Sequence, residues 1–459
     1  MRRKYYYVPS LFCILNCNII NVILCMLFVP CGSVFFSYEA QAQLIAKYFP
    51  NELPGYSADS TGSVAMHQIL QNIHPGIPVG EYFIKPAASQ SFGYNTNILG
   101  APDTSGATIN TSASLGVTSN WRRHAIGASV SVNNTAYPTL SAANQTNWTA
   151  AIGGSVNVGK DQISSGYSHY VMHLSATDLG NFGISYPIPY SADDFRVSYR
   201  KNWSRLALIP SASYDKFSFG QAGGTSAFAG RDTEALGHQL ETQTLQGRFE
   251  ISKGNALVAI LRGTEAQFLA VQGTTPSDYV SGGGFLGLDM RASSVLQYRA
   301  LVGGETRHFV RSSTRAITTP TAEVDVIWMP DRMSTVTLTG QRGLFDPTSP
   351  FSRNQVMSTV RIQVDHELRR NIFIRGFTFM GITDSRPTGS EDDLKTRRQT
   401  QFNFGASVNW KINRDFTLSL SYSHTTSYTK NGVTAVLDNG IAHATFTSNT
   451  FAVGVSFAR

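Results

Sequence analysis

The stretch 399–459 restricts the fold more than any other. From Gln401 to Lys411 the even positions Phe402, Phe404, Ala406, Val408 and Trp410 are apolar. The odd positions Gln401, Asn403, Gly405, Ser407, Asn409 and Lys411 are polar or small. A short polar turn, 412–415, follows. The pattern then returns, with Phe416, Leu418, Leu420 and Tyr422 alternating with Thr417, Ser419, Ser421 and Ser423. The chain ends on Phe451, Val453, Val455 and Phe457, set against Ala452, Gly454 and Ser456. Side chains of a strand point alternately to its two faces, so each run is a strand with one apolar and one polar wall. Each is about ten residues or slightly more, the length with which a tilted strand crosses a bilayer.

The rest of the chain repeats this unit. Ile109, Thr111, Ala113, Leu115 and Val117 alternate with Asn110, Ser112, Ser114, Gly116 and Thr118; Ile126, Ala128, Val130 and Val132 alternate with Gly127, Ser129, Ser131 and Asn133. Tight turns are expected at 120–123, 159–162, 201–204, 252–255, 290–293, 329–332, 368–371 and 412–415, about every 40 residues. Longer polar segments lie between them, among them 176–191, 220–238 and 384–398. Short turns on one rim and long loops on the other are the asymmetry of an outer-membrane barrel. The expected fold is therefore all-β, a transmembrane antiparallel up-and-down β-barrel of about 18 strands. The runs 255–270 and 372–382 alternate poorly, and reading one of them otherwise gives about 16 strands. A membrane-embedded sheet cannot leave backbone groups unpaired, so its edges must join, and a barrel this wide has room for an aqueous lumen.

Composition agrees. Only 15% of the 459 residues are Asp, Glu, Lys or Arg, against roughly 25% in soluble proteins. No apolar run beyond the first fifty residues reaches the roughly 20 needed for a membrane helix. The four cysteines, Cys13, Cys17, Cys25 and Cys31, all lie near the start, which leaves the body without a disulfide framework or Cys-ligated zinc. The net charge of +7 is spread thinly, without the basic block of a nucleic-acid binder.

The N-terminus reads as a signal peptide over 1–42: a basic start, an apolar run from Leu11 to Val29, and Ala40-Gln41-Ala42 with cleavage after Ala42. The apolar run is longer than usual, so an uncleaved anchor is the alternative. Residues 43–80 read as a short periplasmic lead-in with a brief helix over 64–73, and 81–459 as the barrel.

Three stretches resemble a known family. Gly76-Ile77-Pro78-Val79-Gly80-Glu81-Tyr82-Phe83-Ile84-Lys85-Pro86, continuing to Phe92-Gly93-Tyr94-Asn95, is similar to the opening of the putative β-barrel porin 2 family. Ser119-Asn120-Trp121-Arg122-Arg123 resembles its first periplasmic turn, and Val364-Asp365-His366-Glu367-Leu368-Arg369-Arg370-Asn371 a late hairpin. The resemblance covers roughly residues 76–459. It implies a single outer-membrane barrel without catalytic residues. Part of the family is linked to exopolysaccharide export. The implied partners are outer-membrane lipid, the barrel-assembly machinery and polysaccharide export components. The terminal Ala458-Arg459 departs from the final aromatic common in such barrels; Phe457 stands two residues in.

Chemistry is sparse. His169 and His173 share one strand face but have no evident third metal ligand, and neither Gly-x-Ser-x-Gly nor His-Glu-x-x-His occurs. No cofactor, metal site, enzymatic activity or nucleic-acid partner is expected. Gly282-Gly283-Gly284 reads as a kink or close packing inside a strand. Arg196, Arg200, Arg248, Glu250, Glu323, Asp325, Arg361 and Asp365 fall on polar faces and are expected to line the lumen, since charge facing lipid is costly. They form either a solute-selecting constriction or a set of mutually neutralised pairs that stiffen the wall. The expected function is a porin-like channel for hydrophilic solutes, with exopolysaccharide as a candidate; the alternative is a non-porating barrel acting as a surface, structural or export-complex component.

Overall fold

The structure, a computed structural model, describes residues 76–101, 103–181, 186–220, 233–270, 277–310, 315–348, 352–387, 397–430, 436–437, 440–441 and 445–459. The expected signal peptide with its Ala42 cleavage site, the helix over 64–73 and the lead-in as far as residue 75 lie outside them. The first strands are β1 (Ile77–Val79), β2 (Tyr82–Asn95), β3 (Gly106–Ser119), β4 (His124–Ala136), β5 (Gln145–Val158) and β6 (Asp161–Leu174). Then come β7 (Ile188–Asn202), β8 (Leu206–Phe219), β9 (His238–Ser252), β10 (Asn255–Phe268), β11 (Tyr279–Arg291) and β12 (Leu296–Phe309). β13 (Ile317–Trp328), β14 (Ser334–Phe345), β15 (Ser352–Arg369), β16 (Ile372–Pro387), β17 (Arg397–Lys411) and β18 (Phe416–Lys430) follow. Two short strands, β19 (Val436–Leu437) and β20 (Gly440–Ile441), pair in the last loop, and β21 (Phe446–Ala458) ends the chain.

The barrel closes. β2 to β18 pair antiparallel in sequence order, β21 pairs with β18, and β21 returns to β2 through Ala87–Ala458 to Asn95–Thr450. The ring is an antiparallel barrel of eighteen strands. β21 ends five residues short of the start of β2. There β1 takes over, pairing Ile77–Ile84 to Val79–Tyr82, and Arg459 donates its N–H to the Pro86 carbonyl at 3.0 Å. The seam is thus covered to the rim by residues that precede the first long strand.

Alternation decides which wall faces which solvent. Leu261, Leu286, Val302, Val130 and Phe451 are exposed on the outer face, and Tyr82, Trp121, Trp203, Trp328 and Trp410 form an exposed aromatic girdle at the short-turn end. The turns use side chains to satisfy backbone donors. Asn413 Oδ1 accepts the N–H groups of Asp415 and Phe416, both at 2.9 Å. Asp331 Oδ1 accepts that of Met333 at 2.7 Å, which holds its carboxyl below the usual range. At the β11–β12 contact, a Cβ on Gly303 would fall on the Gly284 carbonyl oxygen and beside the Phe285 Cα. A Gly303→Val substitution is expected to force these two strands apart, lowering the unfolding midpoint in detergent with loss of the compact, heat-modifiable band on gels.

One part of the wall departs from a simple cylinder. β13 and β14 pair from Ala322–Arg342 down to Trp328–Val336. Above that level 317–321 pairs with β12, 343–345 pairs with β15, and the two strands do not meet. Pro320, on this free edge, has no N–H to leave unsatisfied. Leu344 and Val356 have the parity of lipid-facing residues. Instead they pack against Ala266, Phe268, Tyr279, Phe309 and Ile317, whose side chains come from the inner face of β10–β13. The tip of the β14–β15 hairpin is therefore tucked inside the barrel wall. Two consecutive residues of β15, Asn354 and Gln355, are both 0% exposed, which a strand allows only when both of its faces are covered.

Candidate functional site

The feature that controls the lumen is the loop between β6 and β7. Its first residues form a compact turn. Asp178 Oδ2 accepts the Ser175 N–H at 2.8 Å, and Asn181 Nδ2 donates to the Ser175 carbonyl at 2.8 Å. Gly180 has φ of +91°, a conformation that costs any residue with a Cβ about 1–3 kcal/mol. This turn projects Leu179, 3% exposed, into a cluster with Phe345, Met357 and Phe379 of β14, β15 and β16. Gly381 leaves the space; a Cβ there would fall within the Leu179 side chain.

Hydrogen bonds fix the same contact. Gln399 Oε1 accepts the Gly180 N–H at 2.7 Å. The Gly180 carbonyl accepts from Thr348 Oγ1 and from Gln355 Nε2, both at 3.1 Å. Gln401 Nε2 donates to the Thr177 carbonyl at 2.9 Å. In the closed ring β6 and β7 stand on the opposite side from β15, β16 and β17. The loop therefore crosses the lumen and docks on the tucked hairpin and the far wall. A second loop reaches it: partial burial, reinforced by the Asp178 carboxylate, pushes the Tyr137 hydroxyl up to about 12.

The other side of the tucked hairpin is pinned by charge. Arg307, 3% exposed, donates to Asp346 Oδ1 at 3.0 Å and Asn354 Oδ1 at 2.9 Å, and its guanidinium lies 3.7 Å from the Tyr279 ring centre. The Tyr279 hydroxyl donates to the same Asp346 oxygen at 2.6 Å. His238 stacks between Phe217 and Phe268 with Asp346 at 4.0 Å. Buried cations persist where they are paired and hydrogen-bonded. The outer half of the β8–β15 side is thus filled by protein, polar contacts included.

Half of the charges read from the sequence fall into ion pairs. Arg196 makes a two-pronged contact with Asp194 on its own strand. Arg248 pairs with Asp289, and Asp365 with Arg375. Glu323 lies 3.9 Å from Arg299, which is register partner to Asp325. Arg361 stacks on Phe377 at 4.4 Å. Arg200 and Glu250 lie toward the short-turn end of β7 and β9. No single ring collects all eight. His169 bonds Asp193 at 2.7 Å and His173 bonds Asn147 at 2.9 Å. Among the described residues no group of three or more His, Cys, Asp or Glu is placed to hold a metal ion. Gly282, Gly283 and Gly284 lie within β11. The docking residues Leu179, Gly180, Gln355, Gln399 and Gln401 escape sequence reading because they meet only after the barrel closes. The local signal was the Ser-x-x-Asp turn followed by Leu-Gly inside an otherwise polar loop.

A closed antiparallel ring with an apolar outside, an aromatic girdle at its short-turn end and a polar inside is an outer-membrane β-barrel of the porin type. The chain belongs to the Putative beta-barrel porin 2 family, whose model matches residues 74–458. No curated protein sequence matches it. Among solved structures, the outer membrane protein opdK from Pseudomonas aeruginosa is 10% identical, with TM-score 0.44 over 83% of this chain and 100% of that one. OccK2 (OpdF) from Pseudomonas aeruginosa is 12% identical, with TM-score 0.43 over 83% and 98%. The siderophore receptor PirA from Pseudomonas aeruginosa is 8% identical, with TM-score 0.41 over 82% and 80%.

Proposed function

We propose that this barrel is a diffusion channel in the outer membrane of a Gram-negative bacterium, passing small hydrophilic solutes without covalent chemistry. The observation that carries the reading is the loop after β6. It crosses a polar lumen and docks on the opposite wall through Leu179 and Gly180, narrowing the passage at the level where the tucked hairpin also fills part of it. Such a constriction sets a size limit at little cost in flow. It fits small solutes better than a polysaccharide chain, which would need the loop displaced, and exopolysaccharide export has no support in this geometry. Arg196, Arg248, Glu323 and Asp365 act, on this reading, in neutralised pairs that hold the barrel's shape.

The filled outer half favours one other reading, a barrel that does not conduct and serves as a structural component. Purified protein in planar lipid bilayers separates the two. Discrete conductance steps are expected from the folded, heat-modifiable form. A folded preparation that inserts and never conducts leaves the structural reading standing and removes the channel.

A further inference from the structure

The inner wall is divided by charge into two unequal arcs. In strands β18, β21, β2, β3, β4, β5 and β6, which are contiguous around the ring, the only Asp, Glu, Lys or Arg on the inner face of the described residues is Lys85. The inner positions there are mostly Ser, Thr, Asn and Gly. Every strand from β7 to β13 carries inner charge, as do β15, β16 and β17. Ser114 and Ser131 are register partners at mid-height of β3 and β4, and both are exposed although they face away from lipid. Their neighbours Leu115 and Val130 are exposed on the outer face. Exposure on the inner face means open lumen beside these serines. Other inner residues of the same arc, among them Ser155, Ser164 and Ser421, are buried between their neighbours, as Thr321, Asp365 and Ser407 are on the charged arc.

From these two observations we infer that the conducting path runs along the uncharged arc and is selective for uncharged, hydroxylated solutes of the polyol and monosaccharide class. This rests on the barrel being a channel. Hydroxyl and carboxamide groups both donate and accept, so they replace the water around a hydroxylated solute group by group. The Ser89–Ser112 pair, hydroxyl to hydroxyl at 2.6 Å, shows how such residues exchange bonds among themselves when no solute is present. An ion moving along this arc loses hydration and gains no opposite charge. The charged arc cannot compensate in the outer half, because its cations are committed: Arg307 to Asp346 and Asn354, and Arg262 to Glu305 at 2.7 Å. Small side chains matter as much as neutral ones, since Ser and Gly keep the passage wide on the side where the crossing loop does not dock.

Proteoliposome swelling with a neutral hexose, a sugar acid and an amino sugar of equal size tests the preference; the neutral sugar is expected to enter fastest. Reversal potentials in a salt gradient test the path. Ser131→Asp should raise cation over anion permeability, and Ser114→Lys should lower it, each by roughly threefold, the effect of one unit charge a few ångströms from a hydrated path. Ser131→Asn serves as the folding and volume control and should change neither. Arg361→Ala should leave the ratio unchanged. The inference is overturned if Arg361→Ala shifts the ratio while both serine variants leave it alone, or if either charged sugar enters faster than the neutral one. Absence of any conductance in the folded wild-type protein would instead remove the channel reading itself and the inference with it.

Discussion

A Leu179→Ala, Gln355→Ala double variant is expected to conduct at least about twofold more than the parent, because the loop that crosses a wide barrel no longer holds its place. Leu179 is buried among Phe345, Met357 and Phe379, and truncating a buried leucine costs about 2–5 kcal/mol. Gln355 supplies one of the bonds to the Gly180 carbonyl, worth about 1 kcal/mol net. The docked state has little in reserve. Asn181 Oδ1 and Gln355 Oε1 are buried there without a protein hydrogen-bond partner, and Gly180 must hold a positive φ. A loss of about 3 kcal/mol shifts a docked-to-undocked ratio by roughly a hundredfold, enough to empty a marginal state. The substitutions lie on the lumen side, so the barrel itself should fold and run normally on gels. Conductance histograms identical to the parent's would show that the loop is not the restriction.

The fold was legible because lipid imposes one rule on every strand. Phe402 to Trp410, Phe416 to Tyr422 and Phe451 to Phe457 all lie on outer faces, and the eight tight turns fall within two residues of their expected places. The two stretches that alternated poorly did so for a physical reason. In β10 the inner positions Ala266 and Phe268 are apolar because they pack on the tucked hairpin. In β16 the inner Phe379 packs on Leu179. A binary pattern assumes that the inner face meets water, and it fails where the inner face meets protein. The noise therefore marked the filled part of the lumen. The charged residues drew attention in the sequence, yet their selection as a site could not be decided there. Arg196 and Asp194 are two residues apart on one strand, whereas Arg248 and Asp289 come from β9 and β11 and meet across the strand between them. The uncharged arc is visible in the residues themselves, but only the order of strands around the closed ring shows that its members are contiguous.

Substituting adjacent residues on β4 should separate the two walls most sharply. Val130 is 54% exposed on the outer face near the middle of its strand, and Ser131 points into the lumen opposite Ser114. Val130→Arg places a cation near the bilayer midplane and is expected to cost about 2–4 kcal/mol. Ser131→Arg, one residue further on, places the same side chain in water and should cost less than about 1 kcal/mol, since the inner face there has no packed neighbour to displace. Val has the higher intrinsic strand preference of the two parent residues, a difference of less than about 1 kcal/mol that adds to the gap. Reversible denaturant unfolding in lipid vesicles reads the difference directly. The apolar face of β4 pairs in register with that of β3, Val130 opposite Leu115, so a cation at position 130 would also meet a neighbour that cannot accept a hydrogen bond. If the two variants lose stability equally, or the serine variant loses more, the assignment of β4's faces to lipid and water is reversed. With it would go the placement of every inner residue that shares its register.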